Sequence, residues 1–96
     1  MSKFMIGRLC ASRGVADCMA ENRGFERFVQ DSLARYFQCD WGETTAADKR
    51  SNDEAVTVGD ERILAAYHYP GRSDLKIWII TEADRSATTV IFPSEY

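Results

Sequence analysis

From Arg62 the period of the apolar residues changes from that of a helix to two, and that change constrains the fold more than any other feature. Before it, Phe25, Phe28, Val29, Leu33, Tyr36 and Phe37 recur at spacings of three and four, the stripe of an amphipathic helix. After it, Ile63, Ala65, Tyr67 and Tyr69 alternate with Leu64, Ala66 and His68, the period of two that belongs to a strand. A chain whose helical signal comes first and whose strand signals follow in succession reads as α+β.

Asn22 stands before the helical stripe as an N-cap, and Arg27, Asp31 and Arg35 lie four apart on its solvated face, where they can pair. A shorter helix is expected over 15–21 with Ser12 as its cap. A third starts at Thr45, which with Asp48 makes a Ser/Thr-x-x-Asp/Glu capping pair. It runs to Val58 and stops at Gly59, with Ala47, Ser51, Ala55 and Val58 as its inward stripe and Asp48, Lys49, Arg50, Asn52, Asp53 and Glu54 facing water. Residues 3–11 read as a strand, because the glycine among them would cost about 1 kcal/mol inside a helix. Tyr69-Pro70-Gly71-Arg72 has the proline and glycine of a type II turn, 75–81 is the most β-prone run, and 87–92 is a last strand. The expected architecture is one domain over 1–96: three helices packed on a three- to four-stranded antiparallel sheet whose last three strands form a meander.

With 45% apolar and 28% charged residues, the composition is that of a globular domain with one core. The longest apolar run, Ile77-Trp78-Ile79-Ile80, is far short of the roughly 20 residues of a membrane-spanning helix. The first residues also lack the apolar region of a signal peptide, so a cytoplasmic protein is expected. Cys10, Cys18 and Cys39 are odd in number and without CxxC spacing, and in a reducing compartment they read as thiols.

The net charge of −3 is unevenly spread: 1–39 carry six basic and four acidic groups, 40–62 three and seven, and the remainder three and four. A direct nucleic-acid binder usually shows a basic stripe, which here only Arg8, Arg13, Arg23, Arg27 and Arg35 could build. The acidic middle disfavours that class.

His68 is the only histidine, so general-base or metal chemistry must use it or do without. The chain has no HxH, HExxH, CxxC or calcium-loop pattern, and neither Gly7 nor Gly14 belongs to a phosphate-binding loop, so no metal or other cofactor is expected. The segment Thr81-Glu82-Ala83-Asp84-Arg85-Ser86 places two carboxylates and an arginine in one turn. Such residues also collect in turns because they hydrogen-bond their own backbone. Trp78 lies on the opposite strand face from Ile77 and Ile79, so the sheet is apolar on both sides. That second face, together with the acidic helix, is the candidate partner surface, unless the N-terminal segment covers it.

The runs Ile6-Gly7-Arg8-Leu9, Ser12-Arg13-Gly14-Val15, Cys39-Asp40-Trp41-Gly42-Glu43, Asp48-Lys49, Asn52-Asp53, Ile63-Leu64-Ala65-Ala66-Tyr67, Lys76 to Ser86, Thr88-Thr89 and Phe92-Pro93 resemble a family of small "plasmid-related" proteins from mobile elements of gut Firmicutes. The resemblance implies a cytoplasmic accessory protein of a plasmid or conjugative element and brings no catalytic residues. Anti-CRISPR proteins have this size, charge and lack of catalytic motifs. The expected function is accordingly a non-catalytic inhibitor of a Cas effector, with Asp48, Asp53, Glu54, Trp78, Glu82, Asp84 and Arg85 as the partner-binding set. The alternatives are a DNA-binding regulator using the N-terminal arginines, and a small hydrolase or nuclease built on His68 with Glu82 and Asp84.

Overall fold

Strands β1 (Arg8–Ala11), β2 (Ile63–Tyr69), β3 (Arg72–Thr81) and β4 (Ala87–Ile91) form one sheet, and helices α1 (Arg13–Glu21), α2 (Arg23–Phe37) and α3 (Ala46–Val58) lie between β1 and β2 in sequence. This computed structural model describes residues 2–96, apart from the side chain of Ser73. The α+β class and the β2–β3–β4 meander are as expected. The sheet, however, is mixed, with strand order β1-β4-β3-β2 and β1 parallel to β4. The physical reason lies at the shared end of these two strands. Ser12 and Gly14, which open α1, are held by the Glu95 carboxylate of the short 3-10 turn Pro93–Glu95 that follows β4, so both strands must exit on the same side.

β1 is shorter than the run 3–11. Gly7 takes a left-handed φ of 62°, and a Cβ there would lie 2.3 Å from the Arg85 carbonyl oxygen, so only glycine permits this approach to the β3–β4 turn. Phe4, one turn earlier, packs edge-on against Tyr36 with ring centroids 5.4 Å apart. α1 starts at Arg13 because the Ser12 hydroxyl already accepts the Val15 N–H. α2 is capped by Asn22, and α3 by Thr45 at its start and left-handed Gly59 at its end, all as the sequence predicts.

The core lies between the helices and one sheet face. Val15, Phe25, Phe28, Val29, Tyr36 and Ala55 meet Ile63, Ala65, Tyr67, Ile77, Ile79 and Val90 in one cluster, with Trp41 closing one side. The inward stripe predicted for α3 is corrected here. Ala47, Ser51 and Val58 are exposed, whereas Asn52, expected in water, is only 4% exposed. Its amide donates to Leu64 O at 2.9 Å and accepts from Leu64 N at 3.3 Å, so α3 docks by pairing with the outer edge of β2.

One hydroxyl chain ties the layers together. Tyr36 Oη is 2.6 Å from Thr81 Oγ1, which is 2.7 Å from Thr88 Oγ1, which donates to Ile6 O at 2.8 Å. A carbonyl can only accept, so the Thr88 proton points to Ile6; Thr81 must then donate to Thr88, and Tyr36 to Thr81. Burial pushes the Tyr36 phenol above its ordinary value. Thr81→Val should cost about 1–3 kcal/mol in urea unfolding, by leaving the buried Tyr36 hydroxyl without its acceptor and Thr88 without its donor. Adding Tyr36→Phe should cost less than a second such amount, because the two changes remove the same chain.

Two carboxylates fix connections at the periphery. Arg35 grips Asp40 through two contacts of 2.8 and 3.2 Å and holds its carboxyl below the ordinary 3.8. The Ser12 hydroxyl, with the Phe92 and Gly14 N–H groups, holds Glu95 below 4.5. Depressed folded values mean that this stabilisation is present above those ordinary values and is lost as pH falls through the folded ones. The melting temperature should therefore drop on acidification below about pH 4.5, and less steeply in Asp40→Asn/Glu95→Gln.

Candidate functional site

Strand alternation sets two faces. Thr81 and Thr88 point to α2 through the hydroxyl chain, so Leu64, Ala66, Trp78, Ile80, Thr89 and Ile91 point the other way. The register places Leu64, Ile80 and Thr89 in one row and Ala66, Trp78 and Ile91 in the next. The core cluster that contains every buried apolar helix residue contains none of these side chains. No helix residue joins them in the core, and the N-terminal segment does not cover them: β1 extends the sheet, and Phe4 packs on the helix side.

What lies against this face comes from the far end of the chain. Tyr96 packs edge-on against Trp78 with centroids 5.5 Å apart, and its hydroxyl is hydrogen-bonded by the Arg62 guanidinium, so the ring reaches from the β4 end toward the start of β2. Tyr96 remains 64% exposed. Beyond Arg62, a cleft of about 230 Å³ lined by Asp48, Ser51, Asn52, Arg62 and Leu64 connects the sheet face to α3. Asp48 and Trp78 thus flank one continuous surface whose other members are Leu64, Arg62 and Tyr96. The sequence reading missed these three. Leu64 is legible from strand alternation, whereas nothing local links Tyr96 to Arg62.

The remaining predicted residues have other surroundings. Asp53 is exposed, but its carboxylate accepts the Trp41 indole N–H at 2.8 Å. Arg85 donates to the carbonyls of Ala55 (2.8 Å), Glu61 (2.6 Å), Glu82 (3.1 Å) and Ala83 (3.2 Å), so its charge caps the C-terminal end of α3 and ties the β3–β4 turn to the α3–β2 connection. Asp84 accepts the Ser86 N–H at 2.9 Å, and hydrogen bonding to the Ser86 side chain and then to this N–H holds its carboxyl below the ordinary range. Glu54 and Glu82 are exposed.

His68 does not meet the turn carboxylates. Ile63 pairs with Thr81 beside that turn, and His68 lies five residues further along β2, about 16 Å away at strand rise. It lines a separate cleft of about 380 Å³ with Glu43, Tyr69 and Arg72, and its backbone N–H donates to Glu43 Oε1 at 2.7 Å. Among the described residues, no three His, Cys, Asp or Glu side chains converge to hold a metal ion, and no helix is long and apolar enough to cross a membrane. Compared with known proteins, the chain matches no family model, no curated protein and no solved structure.

The three acidic residues of α3 should separate in a charge-reversal series read by thermal or urea unfolding. Asp53→Lys removes the acceptor of a part-buried indole N–H and should cost about 1–3 kcal/mol. Asp48→Lys loses at most about 1 kcal/mol of helix-dipole stabilisation, and Glu54→Lys should stay within about 0.5 kcal/mol.

Proposed function

We propose that this protein is a non-catalytic binding protein whose interaction surface is the helix-free sheet face around Trp78 with the flanking Asp48 side of α3. We further propose that its target is a nucleic-acid-binding protein of the Cas effector class. The observation that carries the reading is the position of Trp78 and Tyr96 on a sheet face with no α-helix packed into it, over a floor of buried Ile80 and Ile91, beside the most acidic stretch of the chain, 40–62. An apolar patch centred on an aromatic anchor and rimmed by charge is the anatomy of a protein interface. The Asp48 carboxylate at its border and the net negative charge of 40–62 suit a partner whose own surface is basic because it holds nucleic acid. The resemblance to the small plasmid-borne family implies an accessory role on a mobile element and carries no activity of its own; inhibition of a host defence protein rests on the likeness in size and charge to anti-CRISPR proteins.

A direct DNA-binding role has less support. Of the five N-terminal arginines, Arg27 is paired with Asp31 at 3.4 Å, and Arg35 with Asp40 at 2.8 Å and Glu43 at 3.6 Å, which leaves a thinner basic surface than the sequence count suggests.

The test is inhibition of DNA cleavage by a panel of purified Cas effectors. One effector should be inhibited at a stoichiometric ratio, with inhibition weakened at least about tenfold by Tyr96→Ala and by Asp48→Lys, which leaves the Trp41–Asp53 contact in place. If no effector is inhibited, the target class is wrong. If inhibition survives both variants, the surface is wrong.

A further inference from the structure

The two edges of the sheet are finished differently. On β2, the outward-facing groups are taken in succession. Leu64 N–H and C=O are both paired with Asn52. Ala66 N–H donates to Thr44 Oγ1 at 3.0 Å, Ala66 C=O accepts from Glu43 N–H at 2.9 Å, and His68 N–H donates to Glu43 Oε1. On β1, Arg8 N–H donates to Ser86 O at 3.0 Å and Ser12 N–H to Val90 O at 2.9 Å, so residues 8, 10 and 12 face β4. The N–H and C=O groups of Leu9 and Ala11 therefore face away from the sheet, and no partner for them occurs among the described residues. Leu9 is 48% exposed, and Ala11 is exposed.

This edge also carries a charge signature. Arg8 and Arg13 bracket it, both are exposed, and neither has an ion pair among the described residues. The Glu95 carboxylate beside the start of α1 is engaged with Ser12, Gly14 and Phe92. A second copy fits poorly. Antiparallel β1–β1 pairing through Leu9 and Ala11 centres on Cys10 and brings Arg8 of each copy near Arg13 of the other, a like-charge juxtaposition.

We infer that the outer edge of β1 is a strand-addition site that takes an extended segment of a partner protein with carboxylates flanking a short apolar run. Main-chain pairing to Leu9 and Ala11 supplies the hydrogen bonds, and Arg8 and Arg13 select for acidic flanks. The site is separate from the Trp78 face, which lies on the surface of the sheet rather than at its edge. The shortness of β1 limits what can add to a few residues, whereas β2, the longer edge, is closed.

The probes are two capped hexapeptides of alternating valine and threonine, one flanked by aspartates and one by lysines, titrated into the full chain and followed by amide NMR shifts. The aspartate peptide should shift residues 8–12 and bind at least about tenfold more tightly than the lysine peptide, with the preference shrinking as salt rises. Leu9→Pro removes an N–H that β4 does not use, so it should abolish binding while the chain stays folded. Should that variant fail to fold, Arg8→Glu/Arg13→Glu leaves the backbone intact and should reverse the peptide preference. Equal binding of both peptides, no shifts at 8–12, or an unreversed preference would overturn the inference. So would a dimer that diamide cross-links through Cys10, since the two-fold pairing sets the two Cys10 residues opposite each other within disulfide reach.

Discussion

The buried chain of hydroxyls from Tyr36 through Thr81 and Thr88 to the Ile6 carbonyl is the interaction on which the arrangement of layers depends. It is a continuous polar path through a largely apolar interior, and each oxygen in it has its donor or acceptor fixed by the next. It joins α2 to β3, β3 to β4, and β4 to the segment that leads into β1. A shift of any of these elements by about 1 Å would carry an oxygen–oxygen distance beyond hydrogen-bonding range and strand a buried hydroxyl, at a cost of about 1–3 kcal/mol. Apolar contacts between the same elements tolerate sliding; the hydroxyl chain does not, and so it fixes the strand faces from which the candidate surface follows.

The segment from Asp40 to Asn52 supplies the second constraint. It runs beside β2, offers Glu43, Thr44 and Asn52 to the outer edge of that strand, and brings the Trp41 ring into the core with its indole N–H satisfied by Asp53. An edge strand with unpaired main-chain groups invites association. Here side chains of the chain's own helix and loop occupy that role, so α3 is held to the sheet by hydrogen bonds as much as by Ala55 and Val56. The polar character of α3 follows from this mode of docking, because a helix attached through its Asn52 side and its Arg85-capped end leaves most of its circumference in water.

Trp78, Ile80 and Ile91 occupy the face that the helices leave alone, with Tyr96 and Arg62 laid across part of it. Asp48 borders it through the cleft beside Leu64. Residues that look alike in a one-dimensional tally of acidic groups thereby divide: Asp48 flanks the surface, Glu54 faces water, and Asp53 supports the core. The same division applies to the turn, where Arg85 is held by four main-chain carbonyls and Glu82 is exposed.

The class of fold, the caps at Ser12, Asn22, Thr45 and Gly59, the helical stripe of α2 and the β2–β3–β4 meander were determined by the sequence itself, because each rests on residues within one or two turns of each other. The apolar character of both sheet faces was legible for the same reason, since alternation along 75–81 separates Trp78 from Ile77 and Ile79. Tertiary structure alone decided the parallel pairing of β1 with β4, which depends on Glu95 meeting Ser12 across the length of the chain. It also turned Asn52 from a solvent residue into the anchor of α3, and it set Arg85 on the carbonyls of Ala55 and Glu61. In each case a polar side chain found a partner far away in sequence, and neither propensity nor periodicity carries information about such a partner.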